Sequence, residues 1–350
     1  MKSVLGVMVA FVTTGCVLAA CSSSKPASLA GSSGSSSPGG SAGQLQQQYE
    51  QVAKSVLPSV VQIKAANSSG SGVVYDNKGD IVTNDHVVGG ATTLKVAPAT
   101  GGEPLTAHLV GGFAPDDLAV IRVSGGSLKP ASFASSSGLQ VGQIVLAMGN
   151  PLGLYGSVSE GIVSATGRTV SEGGSSQGSA AVAVIANAVQ TSAAINPGNS
   201  GGALVNMSSQ VIGIPTLAAV NPALGSAAPG IGFAIPSDTV KNIAGQLISS
   251  GRVTNSGKAS LGITGQTVAD QSGNPAGVGV AAVAASGPAA SAGIQAGDVI
   301  TSVGGKPTPN TSVLASVEAQ YKPGDKVPVK IVRNGQSRAV EVTLGSLASA

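Results

Sequence analysis

The chain has 350 residues, room for about two domains plus accessory segments. Hydrophobic residues make up 42% of it, but aromatics only 2% and tryptophan is absent, so any core must be built from Val, Ile, Leu and Ala. A net charge of +3 is too weak to argue for a nucleic-acid partner.

Lys2 and the apolar run Val4 to Ala20 read as a secretory signal over residues 1–20, with a retained anchor helix as the competing reading because the run is near the length of a membrane span. Its ending decides between them. Leu18-Ala19-Ala20-Cys21 resembles the lipobox of bacterial lipoproteins, in which the cysteine is lipidated and becomes the first residue; Cys16 is a poorer match. Lipidated Cys21 would hold the exported protein on the outer face of a bacterial membrane, in the cell envelope or periplasm. Multiple acyl chains make such attachment lasting, whereas one chain is marginal. Residues 21–44 are mostly Ser, Gly, Ala and Pro and read as a flexible tether, spanning roughly 25 Å on average.

Cys16 and Cys21 are the only cysteines, which removes disulfide and thiolate chemistry from the body of the chain. The two histidines, His86 and His108, lack H-E-x-x-H spacing; neither a metal nor a cofactor is expected.

A short amphipathic helix is expected first, because Tyr49, Val52, Ala53, Val56 and Leu57 share one face and Pro58 ends it. From Val60 to about Phe233, short apolar runs alternate with turn residues, as in Val60–Ile63, Ile81–Thr83, Leu118–Val123, Gln143–Met148 and Val211–Ile214. Many short strands with turn signals point to a barrel or sandwich. A second helix follows Pro236, with Val240, Ile243, Ala244, Leu247 and Ile248 on one face and Gly251 as its stop. Arg252 to Lys258 read as a linker. Strands then return with one helix near Ser312–Gln320, and Asn334-Gly335 marks a hairpin.

Gly198-Asn199-Ser200-Gly201-Gly202 is the most informative segment. A serine hydroxyl needs a base in hydrogen-bond reach and donors aimed at the developing oxyanion. Glycines around it allow a tight turn whose own N–H groups, those of Gly198 and Ser200, can be those donors. In a chain this rich in Gly and Ser, the segment could also be a plain turn. It also fits G-x-S-x-G, the nucleophile elbow of α/β-hydrolases, but that fold needs a histidine after the serine and none follows His108. The available order is His, Asp, Ser, as in chymotrypsin. His86 follows the strand pattern Ile81-Val82-Thr83, and Asp117 opens Asp117–Ile121 and can orient the imidazole; Asp116 is its adjacent rival, and His108 reads as structural.

Five ordered motifs resemble the HtrA/Deg family of serine proteases: T-N-x-H-V-V at Thr83–Val88, D-L-A-V at Asp117–Val120, G-N-P-L-G at Gly149–Gly153, A-A-I-N-P-G-N-S-G-G at Ala193–Gly202 and G-I-G-F-A-I-P at Gly230–Pro236. The resemblance covers the chain from about Gln51. It implies a mainly β protein: a chymotrypsin-like double β-barrel over 45–255, then a PDZ domain, a small β-barrel-like sandwich with helices, over 259–347. It makes His86 the general base, Asp117 its orienting acid, Ser200 the nucleophile and Gly198 the oxyanion-hole glycine. It selects Asp117 over Asp116. Asn150–Leu154 and Ile231, Gly232, Phe233 and Ala234 become cleft walls, with Ala194 near the base of an uncharged pocket for a small or medium apolar side chain. The chain departs from many relatives at Ser192, where they have aspartate, and at the short connection Lys64–Ser69.

Ser260-Leu261-Gly262-Ile263 resembles the carboxylate-binding loop of a PDZ domain, with Leu261, Gly262 and Ile263 as backbone donors and the next strand open to β-augmentation. Ala292–Ile300 resembles the family's most repeated PDZ segment. The implied activity is endoproteolysis of unfolded or misfolded proteins, a quality-control role, with an acyl-enzyme intermediate and peptide C-termini recruited or sensed by the PDZ domain. The alternative is a peptide-binding, protease-like chaperone or sensor with little proteolysis. The resemblance also implies a homo-oligomer, often a trimer, to which Gln44–Pro58 can contribute.

Overall fold

The computed structural model describes residues 41–66, 68–99, 101–150, 156–171, 183–196, 198–221 and 226–349. The expected signal segment, Cys21, the tether up to residue 40 and residues 151–154 of the cleft wall lie outside the described residues. Helix α1 (Ser41–Val56) opens the described part, and Pro58 sits in the 3₁₀ turn Leu57–Ser59 that ends it. The helix begins inside the expected tether. Leu45 and the Gln46–Gln48 run are good helix formers, so residues 41–44 continue α1 instead of the Ser/Gly stretch before them.

Six strands form the first barrel: β1 (Val60–Lys64), β2 (Ser69–Val74), β3 (Asp80–Thr83), β4 (Thr93–Pro98), β5 (Leu105–Phe113) and β6 (Leu118–Val123). They close in the order β1-β2-β3-β6-β5-β4, all pairs antiparallel. A one-turn helix, α2 (Asp85–Val88), leaves the end of β3. The second barrel uses β7 (Ser132–Phe133), β8 (Ile144–Gly149), β9 (Ser157–Ser171), β10 (Val184–Thr191), β11 (Ala203–Asn206), β12 (Gln210–Asn221) and β13 (Ser226–Pro236). Their order is β11-β8-β9-β10-β13-β12-β7, and an extra β11–β12 pairing closes the sheet on itself. Helix α3 (Ser237–Ser250) follows and stops at Gly251, whose positive φ lets its N–H return to the Leu247 carbonyl.

With no tryptophan, branched aliphatics fill both barrels. Val61, Ile63, Ile81, Leu94 and Ile121 occupy the first, and Val145, Val163, Leu204 and Ile212 the second. A further cluster joins the barrels to the helices: Val52 and Val56 of α1 and Ile243 and Leu247 of α3 meet Val60, Phe113, Leu118, Leu146 and Met148. This explains why β1 is buried along both faces from Val60 to Ile63 and shows no alternation.

The second unit comprises β14 (Ala259–Ser260), β15 (Ile263–Ala269), β16 (Pro275–Val283), α4 (Pro288–Ser291), β17 (Val299–Val303), β18 (Lys306–Pro307), α5 (Thr311–Glu318), β19 (Lys326–Arg333), β20 (Gln336–Thr343) and β21 (Gly345–Ser346). Its main sheet runs β15-β16-β17-β19-β20, with β18 on β17 and β15 at an open edge. The Asn334-Gly335 turn joins β19 and β20, both residues at positive φ. Arg252–Lys258, read as a linker, is fastened along its length. Val253 is buried in the inter-barrel cluster and donates its N–H to Ser349 Oγ, and Ser256 N–H bonds the Leu347 carbonyl. Lys258 is ion-paired with Asp116. Among the described residues no helix is long and apolar enough to cross a membrane.

Candidate active site

Strands β3 and β6 are neighbours, with Thr83 opposite Ala119. The base candidate lies three residues beyond Thr83 and the acid candidate two residues before Ala119, so one pair of adjacent strand ends delivers both. Asn84 is extended and turns the chain into α2, which carries His86 at the barrel mouth with 42% of its side chain exposed. Asp117 ends the 3₁₀ turn Ala114–Asp116 in the left-handed region (φ 50°, ψ 44°), a conformation aspartate tolerates better than most residues.

The Asp117 carboxylate is buried and fully engaged. Its Oδ1 accepts the backbone N–H of His86 at 3.0 Å, its two oxygens lie 3.0 and 2.9 Å from His86 Nδ1, and Oδ2 accepts Thr216 Oγ1 at 2.5 Å. A carboxylate supplies no proton, so Nδ1 carries one and Nε2 is the basic nitrogen of the neutral ring. Asn84 Nδ2 donates to the Asp117 carbonyl at 3.0 Å and fixes the turn from behind. Burial, followed by the negative charge of Asp117, raises the pKa of neighbouring Asp85 against the opposing pull of His86.

Ser200 projects from a turn lodged against the first barrel. Its carbonyl accepts Ser71 N–H of β2 at 2.8 Å. Ser71 Oγ donates to the Gly198 carbonyl at 2.5 Å and accepts Asn150 N–H at 2.8 Å, tying three segments together. Gly201 has φ +80°, and a Cβ there would run into the Ser71 carbonyl and Thr83 Oγ1, so only glycine lets the serine approach β2 and β3 this closely. Ser200 Oγ donates to the Thr216 carbonyl at 3.3 Å. Thr216 therefore touches both the serine, through its backbone, and Asp117, through its hydroxyl.

The expected pocket lies beside this turn. Gly232 of β13 pairs with Thr191 of β10, and Ile195 packs where a Gly232 side chain would sit. Ile231 is exposed, and Phe233 is half-buried. Ala194 is exposed, and its carbonyl receives Ser159 Oγ and Asn199 Nδ2, so the apolar contact beneath Gly232 comes from Ile195. Ser192 Oγ accepts Ile162 N–H at 3.0 Å, so this hydroxyl clips the end of β10 to β9.

A sequence profile of the trypsin-like peptidase domain matches residues 70–214, and one of the PDZ domain matches residues 259–344. Serine protease PepD of Mycobacterium tuberculosis is 41% identical over 314 residues, covering 85% of this chain and 66% of its own length. The serine protease Do-like HtrA of Lactobacillus helveticus is 39% identical over 291 residues, covering 79% and 68%. The chain belongs to the HtrA/Do family of serine proteases. Among solved structures, the serine endoprotease from Yersinia pestis is 36% identical with a TM-score of 0.55, covering 85% of this chain and 98% of that one. The HtrA-type protease AlgW, solved with a decapeptide, is 30% identical with a TM-score of 0.56, covering 86% and 99%.

Within this HtrA-family chain, sequence reasoning missed Thr216, Ser71 and Asn84 as contributors. Thr216 carries no local signal, since it simply follows the core run Val211–Ile214; only the closing of the second barrel brings it to Asp117. His108 sits on the exposed face of β5, opposite Thr93 and Arg122 and in the interior of the strand. Asp116 is buried, and burial raises its pKa against the opposing charge of Lys258. In the PDZ loop, two of the expected backbone donors are already engaged: Leu261 N–H bonds Glu318 Oε1 at 2.8 Å, and Gly262 N–H bonds Ser260 Oγ at 3.0 Å.

Proposed function

We propose that this HtrA-family chain is an active endopeptidase that cuts unfolded or misfolded polypeptides outside the cytoplasm. The observation that carries the reading is the single bonded system running from Ser200 through Thr216 and Asp117 to His86. His86 Nε2 takes the Ser200 proton as Oγ attacks the scissile carbonyl. Asp117 stabilises the imidazolium, and the N–H groups of Gly198 and Ser200 receive the oxyanion. His86 then passes the proton to the leaving amine, and the acyl-enzyme forms. Water, deprotonated by the same nitrogen, releases the acyl group and regenerates the serine.

The apolar setting of Ile195, Ile231 and Phe233 favours an aliphatic side chain before the cut. The loop Leu261–Ile263 and the open edge of β15 receive peptide C-termini, a reading supported by AlgW having been solved with peptides. Attachment through lipidated Cys21 would hold the enzyme at the membrane face. Two relatives described as probable periplasmic DegP-like endoproteases fit an extracytoplasmic setting.

The test is digestion of casein together with fluorophosphonate labelling. Wild type should do both, and Ser200→Ala neither, while keeping the wild-type circular dichroism spectrum. A folded wild type that binds peptides without labelling would favour the chaperone or sensor role instead.

A further inference from the structure

The peptide groove suggested by the PDZ fold lies between edge strand β15 and helix α5. One end is crossed by Thr267, whose Oγ1 accepts Thr311 N–H at 3.3 Å. At the other end stands Glu318, the last residue of α5, with its carboxylate on Leu261 N–H. That amide is a donor that a peptide's terminal carboxylate would need. The loop's next amide, Gly262 N–H, is held by Ser260 Oγ. The chain thus places its own carboxylate in the loop, in the same chemical role as a peptide terminus.

We propose that Glu318 is a built-in occupant of the Leu261–Ile263 loop, so that a peptide's C-terminal carboxylate binds only by displacing it and taking up a proton. This rests on reading the loop as the peptide-terminus site. Two carboxylates cannot both stay ionised at one amide cradle without a cation between them.

The surroundings support this. Glu318 lines a cavity of about 50 Å³ between the two domains, shared with Pro115, Val184, Lys258 and Ala319. Lys258 is turned away, bonded to the Pro115 and Val184 carbonyls and paired with Asp116. Lys306 reaches Gln320 just beyond the helix end. Of the strands packed against α5, only β9 carries charged residues, Glu160 and Arg168; β10, β14, β15, β16 and β17 carry none. Among the described residues no cation pairs with Glu318. Burial pushes its carboxyl up to about 7, with the Leu261 N–H pulling the other way.

The experiment is calorimetric titration of the full chain, carrying Ser200→Ala to prevent cleavage, with a short peptide ending in valine as free acid and as amide. A carboxyl titrating near 7 is about nine-tenths protonated at about pH 6 and about one-tenth at about pH 8, so affinity for the free acid should fall about tenfold between them. Binding near neutrality should take up protons, read from the dependence of the heat on buffer ionisation. Glu318→Gln and Glu318→Ala should bind the free acid about tenfold more tightly than the Glu318 chain at about pH 8, with no pH dependence. A free acid that outbinds the amide in all three chains, with equal and pH-independent affinities, overturns the occupant role and leaves the loop reading standing. Equal binding of acid and amide in every chain overturns both.

Discussion

Replacing Thr216 with valine removes one hydroxyl and preserves shape, in a residue only 4% exposed. The lost contact is the 2.5 Å bond to Asp117 Oδ2, the oxygen that also faces His86 Nδ1 at 2.9 Å. A hydrogen bond to a charged group is worth about 1.5–3 kcal/mol, and here the carboxylate is buried. During reaction the carboxylate must face a full imidazolium in a fixed direction; without Thr216 it can rotate and its orientation of His86 loosens. If the whole contribution is felt in the transition state, kcat falls about 10- to 150-fold. KM should change little, because the buried hydroxyl is taken up by Asp117. The Ser200 contact to the Thr216 carbonyl is a backbone contact and survives the substitution. Thr216→Ser keeps the hydroxyl and should retain most of the rate. The assay is hydrolysis of a fluorogenic peptide by wild type and both variants, alongside thermal melts. A folded Thr216→Val enzyme within about twofold of wild type would refute the reasoning, since about twofold is less than 0.5 kcal/mol.

Lys258→Met should destabilise the chain by about 3–5 kcal/mol, because it strands the buried Asp116 carboxylate. Burial has already raised the Asp116 pKa, so the loss should shrink as pH falls and the acid is neutralised; adding Asp116→Asn should recover much of it. Denaturant melts of wild type and the two variants check this, and an unchanged Lys258→Met midpoint would show that the pair contributes nothing. Cleavage-site profiling on a denatured proteome should give Val, Ala or Ile before the cut and few basic residues. The pocket segments 192–196 and 231–234 offer no acidic partner, and an unpaired ammonium there costs several kcal/mol, while one methylene changes selection by only about 1–3 kcal/mol. A dominant Lys or Arg at that position would overturn the pocket reading without touching the triad.

Much of the fold was legible because its signals are local. β-branched runs such as Val60–Ile63 and Ile81–Thr83, the Asn334-Gly335 turn and the amphipathic faces of α1 and α3 each announce an element within a few residues. His86, Asp117 and Ser200 stood out as candidates for the same reason, each embedded in its own short motif. What stayed hidden depends on closure of the barrels. Thr216 reaches Asp117 across 99 positions of sequence, and Ser71 reaches Gly198 across 127. Neither residue type is informative alone. Glu318 was hidden by its helix: at the end of an amphipathic pattern a glutamate reads as solvated, and only the packing of α5 beside Leu261 encloses its carboxyl.

Asp116 and Asp117 show how neighbouring residues of one type come to serve different ends. The 3₁₀ turn Ala114–Asp116 and the left-handed residue after it send the two side chains apart. Asp117 turns to His86 and Thr216, while Asp116 turns to Lys258 at the root of the PDZ domain. The fastening of Arg252–Lys258 thus ends on the peptide unit directly before the residue that orients the imidazole. Glu318 lines the same cavity as Lys258 and touches the amide of Leu261. The amide that would receive a peptide terminus and the Lys258–Asp116 pair beside the turn of Asp117 therefore border one cavity between the domains. Of these groups Asp116 is the most deeply buried, and loss of its Lys258 partner is costly.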